Sequence, residues 1–193
     1  MNRIIRAGTP LVTALLLFAT AGNTASDFTV LDSSLGELKS AFNADTGKLR
    51  LVMYVSPTCG GCLRGAQQTQ ENLLAAIDSS ELATYVVWAP KNGGREKHVD
   101  RVLHLVTDAR ATQYWDGDGA AVDAYDAMFG IEGRPCAGVF MLYPADAVWE
   151  GESPPMPDYF EDAHAREFSR TAGPQFDGSR LAERARQMLD EKA

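Results

Sequence analysis

Three runs of the chain are apolar at almost every position: Leu49 to Val55 (LRLVMYV), Leu82 to Trp88 (LATYVVW) and Ala137 to Tyr143 (AGVFMLY). A strand with one wet face alternates polar and apolar side chains, so runs this short and this continuous predict strands covered on both faces. Around them the apolar spacing becomes helical. Leu63, Ala66, Gln70, Leu73, Leu74 and Ile77 predict a helix after the first strand. Val99, Val102, Leu103 and Val106 predict one from about Arg95 to Val106, and Val122, Tyr125, Met128 and Phe129 one from Ala120 to Phe129. Ser34-Leu35-Gly36-Glu37 fits a capping box opening a short helix to Phe42, which Asn43-Ala44-Asp45-Thr46-Gly47 ends, and a last helix runs from about Ser179 to Glu191. After the turn Pro144-Ala145-Asp146, Val148-Trp149-Glu150 reads as the hairpin partner of the third strand. This order predicts an α/β fold, a central mixed β-sheet with helices on both faces. A Pro-rich, acidic and aromatic insertion, 151–178, precedes the C-terminal helix and reads either as an ordinary surface excursion or as a lid or partner-selecting element.

Charge and the N-terminal residues narrow the function classes. The 193 residues carry 18 Lys+Arg against 26 Asp+Glu, a net charge of −8, with no local basic cluster, which argues against a nucleic-acid partner. At 45% hydrophobic residues the chain is apolar enough to fold around a core. Residues 1–21 place Arg3 and Arg6 ahead of an apolar run from Leu11 to Ala19 and the triplet Ala19-Thr20-Ala21, the layout of a signal peptide. The run is well short of the roughly 20 residues that span a bilayer, so cleavage is expected and no stable membrane insertion follows it. Cleavage after Ala21, with Ala25 as the alternative, removes two arginines and takes the charge from −8 to −10. The expected location is periplasmic or secreted, with 27–193 as the single domain, and the three cysteines then meet a disulfide-permissive environment.

Cys59-Gly60-Gly61-Cys62 sits where the first buried strand turns into a helix. Free N–H groups and the dipole at a helix start stabilise a thiolate, drawing a cysteine pKa from about 8.5 into the range of roughly 3.5 to 7.5. An exposed first cysteine then attacks a disulfide and a shielded second one, a turn along, resolves the mixed disulfide. As a staple the pair is poor: closing a four-residue loop constrains the unfolded chain by about 2 kcal/mol, against about 4.5 for a loop of about 75 residues. As half of a zinc site it lacks a second Cys-x-x-Cys or a His-x-x-x-His. Redox activity is the expectation.

With these residues in view, the sequence resembles the thioredoxin superfamily. Leu51-Val52-Met53-Tyr54-Val55-Ser56-Pro57-Thr58-Cys59-Gly60-Gly61-Cys62 is similar to the family's strand and redox motif, and Phe129-Gly130-Ile131-Glu132-Gly133-Arg134-Pro135 to the segment carrying its cis-proline loop. The resemblance implies a thioredoxin-like fold and a thiol-disulfide oxidoreductase without cofactor, exchanging with protein thiols and disulfides of the exported compartment. It implies Cys59 as nucleophile, Cys62 as resolving thiol and Pro135 as a cis-proline that leaves the Arg134 backbone free to pair with an extended substrate segment. The chain departs from thioredoxin in Thr58, where thioredoxin has a tryptophan, and in Met53, where it has a buried acid that relays a proton. Gly60-Gly61 lacks the histidine of strongly oxidising relatives, and the direction of exchange is open.

Cys136, which follows Pro135, has three readings: a small buried residue, an extra redox thiol, or a third ligand that with Cys59 and Cys62 holds a soft metal such as Cu(I). Arg134 beside it is either an electrostatic support for the thiolates or a solvated side chain. Asp116-Gly117-Asp118-Gly119 reads as a turn rather than a calcium loop, because Ala127 stands where an EF-hand has its last ligand. His98, His104 and His164 are scattered, and Glu96, Asp100 and His104 read as a solvated helix face. Trp115 and Trp149 are expected in or at the edge of the core.

Overall fold

The computed structural model describes residues 27–131, 138–165, 171 and 173–192. In chain order the elements are β1 (Thr29–Val30), α1 (Gly36–Ala44), β2 (Leu49–Val55), α2 (Gly60–Thr69) continued by a π turn (Gln70–Leu74), β3 (Leu82–Trp88) and α3 (Glu96–Val99). A 3-10 turn (Leu103–Leu105) follows, then β4 (Ala111–Trp115), α4 (Ala120–Met128), β5 (Val139–Tyr143), β6 (Tyr159–Asp162) and α5 (Gly178–Lys192). The strands form one mixed sheet in the order β1-β4-β3-β2-β5-β6, parallel from β1 to β2 and antiparallel across β2-β5 and β5-β6.

The three apolar runs are the central strands, buried at every described position, as their composition predicts. Alternation sorts their side chains into two cores. Leu49, Leu51, Met53, Val55, Val86, Trp88, Phe140 and Leu142 meet α2 and the Leu181, Ala182, Ala185 and Met188 face of α5. Val52, Tyr54, Tyr85, Val87, Val139, Met141 and Tyr143 meet Leu38 and Phe42 of α1 and Ala121, Val122 and Tyr125 of α4. Trp115 and Trp149 are buried, one in each core. Arg50, the one polar residue of its run, is buried, with Nη1 and Nη2 donating to the carbonyls of Phe42, Ala147 and Pro144 and the guanidinium 4.4 Å from the Phe42 ring centre. Charge-assisted bonds to backbone oxygens offset its desolvation.

Several expectations are corrected. The partner of β5 is β6, inside the segment read as an insertion, while Val148-Trp149-Glu150 forms no strand: Trp149 instead exchanges backbone hydrogen bonds with the Asn43 side chain. The helix expected to Val106 ends at Val99 and gives way to the 3-10 turn, so Glu96, Asp100 and His104 share no helix face. Strands β1 and β4 were not visible as runs; β4 has buried apolar side chains only at Tyr114 and Trp115 and uses Gln113 to bond Trp88 Nε1 and the carbonyls of Leu103 and Val106. Leu35, at φ 54°, stands at the N-cap of α1, and Ser34 Oγ donates to Asp32 and accepts the Gly36 N–H at 3.1 Å without closing a capping box. The Asp116 to Gly119 turn is as expected, and Asp116 accepts the free N–H groups of Ala121 and Val122 at the start of α4.

Candidate active site

Strand β2 ends at Val55, and Ser56-Pro57-Thr58 carries the chain into α2. This turn is pinned to the loop after β3: Ser56 Oγ donates to the Lys91 carbonyl (2.8 Å), and Thr58 Oγ1 lies 3.1 and 3.0 Å from the carbonyls of Lys91 and Asn92. Thr58 therefore fixes the turn that presents Cys59. Cys59 is the N-cap of α2, in extended backbone conformation, and its sulfur accepts the Cys62 N–H at 3.4 Å. Thiolate sulfur takes the place that a serine or aspartate oxygen holds in an ordinary cap.

Both cysteines are free thiols and both are buried, Cys59 at 6% exposure and Cys62 at 0%. The expectation of an exposed first cysteine is corrected, because His164 covers it. His164 Nε2 lies 3.0 Å from Cys59 Sγ and 4.0 Å from Cys62 Sγ. The histidine read as scattered is thus the third member of the site, and it comes from the turn directly after β6.

Residue Asp162, the buried end of β6, sets that turn. Its Oδ1 accepts the His164 backbone N–H at 2.7 Å, a local aspartate turn, and its Oδ2 accepts the Thr171 hydroxyl at 2.8 Å. Backbone bonds hold the same place from both sides: Ala163 N–H donates to the Gly138 carbonyl and Phe176 N–H to the Asp162 carbonyl. Glycines make room for the imidazole. A Cβ at Gly61 would stand 2.8 Å from His164 Cε1, and one at Gly138, where φ is 87°, would stand 3.2 Å from both Cys62 Sγ and His164 Cδ2.

The electrostatics separate the two thiols. Cys59 is lowered to about 5, first by the hydrogen bond from the Cys62 thiol, then by the Cys62 N–H and by His164, against the opposing effect of burial. Cys62 is pushed well above its usual range by serving as that donor, by burial, and by the negative charges of Cys59 and Asp162. One nucleophile at neutral pH and one held-back proton are what sequential attack and resolution require. Met53 is fully buried in the same core, as its place in the strand predicts. Pro135, Cys136 and Arg134 lie outside the described residues, as do residues 1–21, expected as a signal peptide. Among the described residues, Cys59, Cys62 and His164 group their ligand atoms within 4.8 Å of one another.

The fold is thioredoxin-like. A thioredoxin-like protein solved in its oxidised form matches 75% of this chain and 79% of its own, at 15% identity and a TM-score of 0.50. A secreted disulfide oxidoreductase of Mycobacterium tuberculosis, homologous to E. coli DsbE, covers 75% of this chain and 84% of its own at 14% identity, with a TM-score of 0.47. DsbF of the same organism, in mixed oxidised and reduced forms, covers 76% and 84% at 14% identity and 0.46. No protein-family model matches the chain, and no curated protein matches it in sequence.

Proposed function

We propose that this chain is an exported thiol-disulfide oxidoreductase that exchanges disulfides with partner proteins through Cys59 and Cys62. The observation that carries the reading is the inequality of the two thiols: Cys59 capped by the Cys62 N–H and faced by His164, Cys62 sealed behind it. In the reductive direction the Cys59 thiolate attacks a substrate disulfide, forming one S–S bond and releasing one substrate thiolate. The leaving thiolate takes its proton from solvent. Cys62 then loses its proton and attacks Cys59 Sγ, the substrate leaves with its second thiol, and the two electrons it gained are those lost when Cys59 and Cys62 join. The reverse sequence oxidises a dithiol.

Arg134 and Pro135 are the proposed docking segment for an extended substrate, Cys136 an auxiliary thiol, and 1–21 the signal that delivers the chain to the periplasm or outside. The basic, apolar and small-residue order of 1–21 supports export, and among the described residues no helix is long and apolar enough to cross a membrane. Expression of Cys62→Ser in the native host tests the reading: mixed disulfides between Cys59 and exported proteins are expected on non-reducing gels, and their absence from Cys62→Ser, at wild-type protein levels, sinks it. The reduction potential assigns the direction, near about −270 mV for a reductant and about −120 mV for an oxidant.

A further inference from the structure

The imidazole of His164 does more than face one sulfur. Its Nε2 is turned to both thiols, at 3.0 Å from Cys59 Sγ and 4.0 Å from Cys62 Sγ, and the three donor atoms lie within 4.8 Å of one another. Donors bound to one metal ion, with sulfur at about 2.3 Å and nitrogen at about 2.0 Å as in zinc sites, stand roughly 3.5 to 3.8 Å apart. The two nitrogen–sulfur separations straddle that spacing, and the sulfur–sulfur side of the triangle is at most 4.8 Å. No side chain intrudes at the two glycines beside the site: Gly61 and Gly138 let the imidazole approach where a Cβ would stand 2.8 Å and 3.2 Å from its ring. The backbone on both sides of the histidine is fixed by Asp162, Gly138 and Gln175.

From this geometry we infer that the reduced protein binds one Cu(I) ion through Cys59 Sγ, Cys62 Sγ and His164 Nε2. Two thiolates and an imidazole form a soft donor set, and a d¹⁰ monovalent ion is satisfied by three such ligands, whereas structural zinc takes four. Two thiolates and one cuprous ion leave a single negative charge, less to bury than two thiolates alone. Among the described residues, His164 supplies the third ligand. Metal binding releases the remaining thiol proton to solvent.

The site does not rest on the exchange reading. A protein that holds Cu(I) and traps no substrate keeps this site and loses that function, and the converse result separates them equally well. The test uses the full reduced chain under anaerobic conditions, titrated with Cu(I) against a chromophoric Cu(I) chelator, with X-ray absorption on the loaded protein. One Cu(I) per chain with two sulfur and one nitrogen neighbours is expected. His164→Ala should lose the nitrogen neighbour and weaken binding at least about tenfold, since even an outer-shell partner of a ligand is worth that much. His164→Met, which offers a thioether in place of the imidazole, should bind more tightly than His164→Ala. Failure of the wild-type protein to compete with the chelator overturns the proposal. So do equal affinities for wild type and His164→Ala, a shell of sulfur alone in the wild type, or His164→Met binding no better than His164→Ala.

Discussion

His164 Nε2 lies 3.0 Å from Cys59 Sγ although 105 positions separate the two residues in the chain. The thiol at the tip of α2 therefore receives its stabilisation from two sources: the helix start, built by its own neighbours, and an imidazole delivered by an edge strand. The second source makes the site adjustable without touching the Cys-Gly-Gly-Cys motif. Removing the imidazole should shift the pair in a known direction. In His164→Ala the Cys59 pKa should rise by about 1 unit, and because that destabilises the reduced form the reduction potential should fall by about 30 mV. Thiolate absorbance at 240 nm against pH and equilibration with glutathione measure the two shifts, and an unchanged titration would remove His164 from the chemistry.

Titration of Cys59 itself carries a stability consequence. Its folded value is depressed to about 5, so the folded dithiol gains stability from this group as pH rises above about 5. The gain is complete above the ordinary thiol value of about 8.5 and is lost as pH falls through about 5. Cys62 is shifted the other way and opposes this above its ordinary value. Denaturant titrations of the reduced protein and of Cys59→Ser at several pH values should diverge through the range of about 5 to 8.5, with the wild type gaining. Alkylation of Cys59 should show its midpoint near 5.

Two glycines on α2 should respond oppositely. A Cβ at Gly65 would overlap the Phe140 ring, inside the core between α2 and β5, so Gly65→Ala should cost about 1 to 3 kcal/mol of stability while Cys59 titrates normally in the fraction that folds. At Gly61 the Cβ meets only the ring edge of a half-buried histidine at 2.8 Å, so Gly61→Ala should cost little stability and raise the Cys59 pKa by displacing the imidazole. Reversal of the two outcomes contradicts the packing described for the site.

Strand β6 is tied to α5 through Glu161. Its carboxylate is fully buried, accepts from Arg180 Nε at 2.7 Å and Tyr159 Oη at 2.6 Å, and takes the Asp177 N–H at the head of α5 at 2.6 Å. Because Arg180 is half exposed, the ion pair is partly screened, and Glu161→Gln should cost about 1 to 3 kcal/mol. Amide exchange around Asp162 and Ala163 should quicken in the same variant, since that is the backbone positioning His164.

Asp162 acts on the site through His164, whose backbone N–H it accepts. Asp162→Asn keeps one acceptor oxygen and should hold the turn; Asp162→Ala should release the imidazole and raise the Cys59 pKa toward that of His164→Ala. A purely structural role would lower the melting temperature of Asp162→Ala and leave the Cys59 titration where it is.

The central sheet was legible in the sequence because its strands are buried on both faces, and burial of that kind leaves a mark in each residue: LRLVMYV and LATYVVW are short apolar runs with valines and aromatics, the pattern of buried strands. The Cys-Gly-Gly-Cys motif at the end of β2 was legible for a local reason as well, since a strand-to-helix turn needs only its own neighbours to cap a thiolate. Strand β6 was hidden. Tyr159-Phe160-Glu161-Asp162 buries two acids, and Arg180, Thr171 and the Asp177 N–H group, which satisfy them, come from later in the chain, so the segment reads as a polar excursion. Position decided the rest. By itself the sequence determined the periodicities, the acidic charge and a pair of cysteines at a helix start, all properties of short windows. Only the tertiary structure decided that an antiparallel edge strand would lay an aspartate turn over those cysteines and bring His164 to them. Such a contact is set by strand register and by the space two glycines leave, neither of which is a property of the residues that meet there.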